Sequence, residues 1–220
     1  MMDFDQLFVT RNWFGKSVRR NEDAKFVKGE AIYVDDVDMD CAHVAISRSI
    51  FAHARIKSID TSKAEAMKGV LAVITGPEVK KQTKTVPPRA ITVPAKQWVM
   101  AADKIVYLGE PIAAVVAEDR YIAEDAVELI KIEYEPLQPL VRIDDALKPG
   151  APLLFEEVGT NELLHDTMEH GDFNKAMKEA DLVIREKFAV HRYSSTPLEP
   201  WVIIARHDKG NDSFTVWAND

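Results

Sequence analysis

Residues 111–117, Pro-Ile-Ala-Ala-Val-Val-Ala, are the longest run without a polar side chain among the 220 residues, and they constrain the fold more than any other segment. Seven residues fall far short of the roughly 18 that a membrane span requires, so the run reads as a strand over 112–117. The clearest helix of the chain follows, from Asp119 or Arg120 to Lys131. Within it Ala123, Ala126, Val127 and Ile130 recur at i, i+3, i+4 and i+7 and share one face, and Asp119 is placed to cap its first turn. Residues 132–137 then alternate as a strand with Pro136 at its edge.

Upstream, residues 1–28 mix basic and aromatic residues without a period and read as an irregular arm. Short strands are expected over 31–34, 42–47 and 54–59 with antiparallel pairing, the first ending at the acidic turn 35–38. Asp60 or Thr61 should cap a short helix that Gly69 terminates, followed by a buried strand over 70–75 and a turn or one-turn helix beginning at Gly76-Pro77-Glu78. Residues 80–96, with Pro87, Pro88 and Pro94 among Lys80, Lys81, Lys84 and Arg89, read as a long basic surface loop and a candidate contact surface. A further strand is expected over 104–108.

Pro139, Pro149 and Pro152 mark an extended exit, which places a domain boundary near 142–152. Beyond it, Gly171-Asp172 should cap a helix through Ala180, with a strand over 182–190. A final hairpin is expected of strands 201–206 and 213–218 around the turn 207–212. Strands and helices alternate irregularly, so the fold class is α+β rather than a doubly wound sheet.

Composition narrows the function classes. A net charge of −8 argues against nucleic acid, whose partners gather Lys and Arg on one face. The single cysteine, Cys41, excludes an internal disulfide framework and a cysteine-only metal site, and it implies a reducing, cytoplasmic setting. At the head of an apolar strand it reads as a small buried hydrophobe. No two of the nine glycines stand closer than seven residues, so neither the dinucleotide-binding nor the P-loop glycine pattern can be written.

Side chains with chemical potential are few. His165 and His170 are five residues apart, about 140° around a helix, and do not share a face for a metal. His191 with Ser194 and Ser195 lacks a nucleophile elbow and an orienting acid. Glu133, Glu135, Glu156 and Glu157 read as solvated faces rather than an acid and base pair. No catalytic and no metal-ligating residue is assigned.

Several segments nevertheless recur in a known order. Residues 20–36 carry Arg-Asn-Glu-Asp-Ala, then Gly-Glu-Ala-Ile-Tyr, then Asp; residues 48–56 read Arg-Ser-Ile-Phe-Ala-His-Ala-Arg-Ile. Residues 108–117 read Leu-Gly-Glu-Pro-Ile-Ala-Ala-Val-Val-Ala, and 134–137 Tyr-Glu-Pro-Leu. In this order the chain resembles the large, molybdenum-containing subunit of the xanthine dehydrogenase, aldehyde oxidase and carbon monoxide dehydrogenase family. The resemblance implies an N-terminal arm over 1–19, an α/β hammerhead domain over 20–145, and the incomplete start of a molybdopterin-binding domain over 146–220. Pro197-Leu-Glu-Pro200 and Thr215-Val-Trp217 carry the last part.

Relatives continue past the equivalent of Asn219-Asp220 into a Gln, a Gly-Gly-Gly-Phe-Gly loop and a late catalytic Glu, and this sequence holds none of them. The resemblance therefore implies no cofactor bound by this chain alone. The molybdopterin cofactor would belong to the assembled enzyme, with a catalytic molybdopterin-binding chain, an iron-sulfur subunit and a flavin subunit carrying FAD as partners. Glu199 and Asn219 are the residues it would place beside the active-site funnel, in a structural role. The competing reading is non-enzymatic, a free-standing hammerhead binding module or truncated relic. An incomplete subunit should expose apolar surface over 150–220. The substrate stays open among carbon monoxide, aldehydes, purines and aromatic acyl thioesters.

Overall fold

The computed structural model describes residues 17, 19–86, 93, 95–194 and 196–219. Most of the expected arm, the prolines Pro87, Pro88 and Pro94 of the basic loop, Ser195 and Asp220 lie outside them. In chain order the elements are α1 (Asp23–Lys28), a 3-10 turn (Val34–Asp36), β1 (His43–Arg48), β2 (Ala54–Asp60), α2 (Ser62–Glu65), β3 (Val70–Thr75), α3 (Gly76–Gln82), β4 (Lys104–Ile105), β5 (Pro111–Ala117), α4 (Arg120–Glu128), β6 (Lys131–Pro136), α5 (Ile143–Ala146), α6 (Phe173–Glu179), β7 (Ile203–Asp208) and β8 (Ser213–Ala218). The chain forms two compact units, one of residues 40–185 and one of residues 1–39 with 186–220.

The larger unit is built around β5. Its apolar run seats it in the middle of an antiparallel sheet of order β1-β5-β3. Alternate residues then serve two cores, because successive side chains leave opposite faces of a strand. Val115 packs with Ala64 and Ala126 beneath α2 and α4, joined by Val73, Val127 and Ile130. Ile112 points the other way and meets Ala54 and Ile105 of a second sheet, order β4-β2-β6, and Ala101 of the loop before β4, joined by Phe51, Ile132 and Tyr134.

Pairing is antiparallel throughout, yet β1 and β2 do not pair with each other. Ser49 turns the chain between them, its amide donating to the Glu110 carbonyl at 2.9 Å and its hydroxyl to the Phe51 carbonyl at 2.7 Å. β1 stays beside β5 while β2 departs to β4 and β6.

The helix α4 forms where its periodicity places it, with Ala123 and Ala126 buried. The Asp119 carboxylate accepts hydrogen bonds from the amides of Tyr121 and Ile122 at 2.8 and 3.4 Å. Asp119→Ala is expected to lower stability by about 1 kcal/mol, read as a lower urea midpoint at unchanged slope. Asp172 likewise caps α6 through the amide of Lys175 at 2.9 Å.

Five local expectations fail, each for a physical reason. Residues 23–28 form a helix within the supposed irregular arm, closed by Gly29 at φ +71°. Residues 31–34 are not a strand: the Asp36 carboxylate accepts from the Tyr33 amide at 2.9 Å and closes a 3-10 turn, a local bond that competes with any ladder. The strand at β3 lies at a sheet edge rather than buried, with Leu71 and Ile74 exposed. The strand over 104–108 stops at Ile105, because the Glu110 side chain takes the Val106 amide. Residues 182–190 form no strand and expose Leu182, Ile184, Phe188 and Val190; an apolar run becomes a strand only when it joins a ladder, and this segment belongs to none of the three sheets.

Candidate functional site

In the smaller unit, β7 and β8 pair from Ile203 opposite Ala218 to Asp208 opposite Ser213. Asn219 closes the open end of this hairpin. Its Oδ1 accepts from the Val202 amide at 3.3 Å and its Nδ2 donates to the Pro200 carbonyl at 2.9 Å. Glu199, one residue earlier, reaches across the sequence to accept a hydrogen bond from the Val34 amide at 3.0 Å. Between them and the preceding segment, Thr196 sits at φ +42°, a left-handed conformation that costs a β-branched residue energy. Its amide and hydroxyl both reach the Ser194 hydroxyl, at 3.2 and 3.1 Å.

The hairpin is wet on its apolar side. Ile203, Phe214 and Val216 are exposed, and Trp201 is 81% exposed. On the other side the Arg206 guanidinium lies 5.7 Å from the Trp217 ring centre. A two-stranded ribbon with both faces accessible is marginal without further layers. No residue beyond Ala126 is fully buried among those described.

The larger unit holds a groove of about 410 Å³ lined by Arg55, Lys80, Trp98, Asp103, Lys104, Glu110 and Glu156, among others. Its charges are largely paired: Lys80 with Asp103, and Glu156 with both Arg55 at 3.5 Å and Lys104 at 3.3 Å. Glu110 is 5% exposed. Its carboxylate accepts from the Val106 amide at 2.7 Å, and burial pushes its pKa above the usual carboxylate value against the pull of the Val106 and Tyr107 amides. This is a clasp on the turn 106–110. In the sequence the signal for this role is a lone acid between a turn glycine and an apolar strand, Gly109-Glu110-Pro111.

His53 stands in the sequence within the motif of residues 48–56. It is buried, and its Nδ1 lies 2.7 Å from the Gln138 carbonyl oxygen, so Nδ1 carries the proton and ties the entry of β2 to the exit of β6. Among the described residues its Nε2 finds no hydrogen-bond partner.

The other singled-out residues are dispersed. His165 bonds Glu162 at 2.8 Å on the surface, and among the described residues no group of three or more His, Cys, Asp or Glu could hold a metal ion. Glu133 accepts from Ser58 and Glu135 pairs with Lys57 at 2.6 Å; Glu157 accepts from the Lys96 amide. Cys41 is exposed, not the buried hydrophobe expected, because β1 begins two residues after it.

Known proteins share this architecture. Residues 28–138, half of the chain, match the family model of the aldehyde oxidase and xanthine dehydrogenase α/β hammerhead domain. The chain belongs to the aldehyde oxidase and xanthine dehydrogenase family. Residues 154–220 match the molybdopterin cofactor-binding domain, so the α+β fold is a hammerhead domain followed by part of a molybdopterin-binding segment. Within this family the chain is 37% identical to the 6-hydroxypseudooxynicotine dehydrogenase complex subunit gamma of Paenarthrobacter nicotinovorans, over 93% of this chain and 27% of that protein. It is 38% identical to the carbon monoxide dehydrogenase large chain of Afipia carboxidovorans, over 90% of this chain and 26% of that protein. The crystal structure of a Cu,Mo-CO dehydrogenase in its carbon monoxide reduced state matches at 36% identity with a TM-score of 0.75, over 93% of this chain and 27% of that one. The chain thus spans about a quarter of the length of these family members.

The described residues do not by themselves fit a molybdopterin cofactor. Both amide atoms of Asn219 are engaged in closing the hairpin and Glu199 is bonded to Val34, so neither of these two side chains is turned over to a cofactor.

Proposed function

We propose that this chain supplies the hammerhead domain, residues 20–145, and the opening part of the molybdopterin-binding domain, residues 146–220, of a molybdenum hydroxylase, preceded by an arm over 1–19. The observation that carries the reading is the hairpin β7-β8: it falls in the segment matched to the cofactor-binding domain, and its apolar side is open to water. Large exposed aromatic and aliphatic side chains mark surfaces that another polypeptide layer covers. We assign that layer, with the cofactor-binding and catalytic groups, to a catalytic molybdopterin-binding chain. The molybdopterin cofactor would be held by that other chain and would supply the oxidation or hydroxylation of a carbon substrate, with an iron-sulfur subunit and an FAD-carrying flavin subunit as the further partners.

In this reading Glu199 and Asn219 shape the wall of the active-site funnel rather than take part in chemistry. Glu199 sets where the segment 197–200 crosses the turn at Val34, and Asn219 fixes the end of β8. Among the described residues no helix is long and apolar enough to cross a membrane.

The test is affinity purification of the chain from its own cells, with mass spectrometry of co-purifying polypeptides and molybdenum quantification. Near-stoichiometric molybdenum, together with a polypeptide carrying the remaining cofactor-binding loops, is expected. Recovery of the chain alone and metal-free would overturn the reading in favour of a free-standing module.

A further inference from the structure

The β1-β5-β3 sheet has two faces of opposite fate. On one, Ala45, Val115 and Val73 stand in register beneath α4. On the other, the register brings Val44, Val116 and Ala72 into one row and Ile46, Ala114 and Ile74 into the next. All six are aliphatic. The second sheet packs on this face at Ile112; in the two rows beyond it the central Ala114 is 3% exposed, but the flanking Val44 is 60% exposed, Ile46 40% and Ile74 38%. A strand face that meets water normally alternates to polar residues, and here it does not.

We infer that this open face is a docking surface within the subunit, covered by the polypeptide that continues the molybdopterin-binding domain. The inference rests on the proposed function for its occupant. Three further observations select that occupant over a free partner or a second copy of this chain. Three strands spaced about 4.8 Å apart and two ladder rows make a patch of roughly 150–200 Å², far below the roughly 800 Å² per partner that a stable interface between separate proteins buries. The patch therefore needs a covering segment held to this chain by other contacts as well. The family members at 37–38% identity extend to about four times the matched length, so ample polypeptide is available to cover it. The absence of any charge among the six residues suits a permanently buried layer rather than a wet, transient encounter.

Thiol accessibility tests this directly. Because Cys41 is the one native cysteine, C41S gives a thiol-free background into which V44C and I74C are introduced separately. Both sites are exposed, so the isolated variants should melt as the parent does. With N-ethylmaleimide as the probe, both should react freely in the isolated chain at every protein concentration, and at least tenfold more slowly in the molybdenum-containing complex purified from the native cells. Equal reactivity in chain and complex would overturn the inference while leaving the proposed function standing. Protection that rises with concentration of the isolated chain would assign the face to a second copy and overturn it too. Photocrosslinking from p-benzoylphenylalanine in place of Ile46 should capture the chain that carries the remaining cofactor-binding loops; capture of the iron-sulfur or flavin subunit would refute the stated occupant. Failure to recover any molybdenum complex would sink the proposed function and this inference together.

Discussion

Gly76→Ala is expected to destabilise the larger unit by about 3 kcal/mol or more, the largest effect of a Cβ added at any of the described glycines. A Cβ at position 76 would stand 1.9 Å from the Ala101 carbonyl oxygen and 2.6 Å from its carbon. Neither is the end of a flexible side chain that could swing away. Ala101 is itself fixed, its amide donating to the Pro111 carbonyl at 2.8 Å and its side chain packed with Ile105 and Ile112. Relief of the clash must therefore move either the start of α3 or a core segment. Gly150→Ala is the control: at φ +79° with nothing within 4 Å of the new methyl, it should cost only about 1–2 kcal/mol, from the left-handed backbone alone. Urea unfolding of both variants checks the contrast, and equal midpoints would refute it.

Glu110→Ala should cost about 3 kcal/mol, because the Val106 and Tyr107 amides would lose a buried acceptor, at about 1–3 kcal/mol for each orphaned group. Glu110→Gln keeps one acceptor oxygen and should lose less. The two forms also separate by pH. Burial raises the Glu110 pKa in the folded chain, so the stability tied to its protonation is fully present below the unfolded carboxylate value. It is lost as pH rises through the folded value. Glu78 has the opposite sign: hydrogen bonds from the Thr75 amide and hydroxyl lower its pKa, so its contribution is present above the unfolded value and lost as pH falls. Wild type should therefore lose stability relative to Glu110→Gln as pH rises above the ordinary glutamate range; a difference independent of pH would refute the assignment.

The elements legible in the sequence are those whose signal is local. Asp119 with the spaced alanines predicted α4, Asp172 predicted α6, and the apolar run predicted β5, because capping and periodicity act within a few residues. The turn residues between β7 and β8 similarly revealed the hairpin, and Gly69 and Pro77 the ends of their elements. Segments 31–34 and 182–190 look equally strand-like, but a strand exists only where a neighbour takes up its backbone groups, and no local pattern reports that. Glu110 and His53 escaped notice for a related reason. One acid or imidazole reads as surface until the structure buries it against particular amides and carbonyls.

Ordered motifs along the sequence sufficed to fix the family and the α+β class, since both are carried by the types and spacing of residues in the chain. The tertiary structure decided which strands become neighbours, separating β1 from β2 and giving β5 a different core on each face. It alone showed that Glu199 and Asn219 are engaged in backbone bonds, and that aliphatic side chains remain in water on the β1-β5-β3 sheet and on the hairpin. Strand pairing and burial are long-range outcomes: the favourable free energy arises when apolar surface meets apolar surface far away in sequence, and the sequence specifies that meeting only through the whole fold.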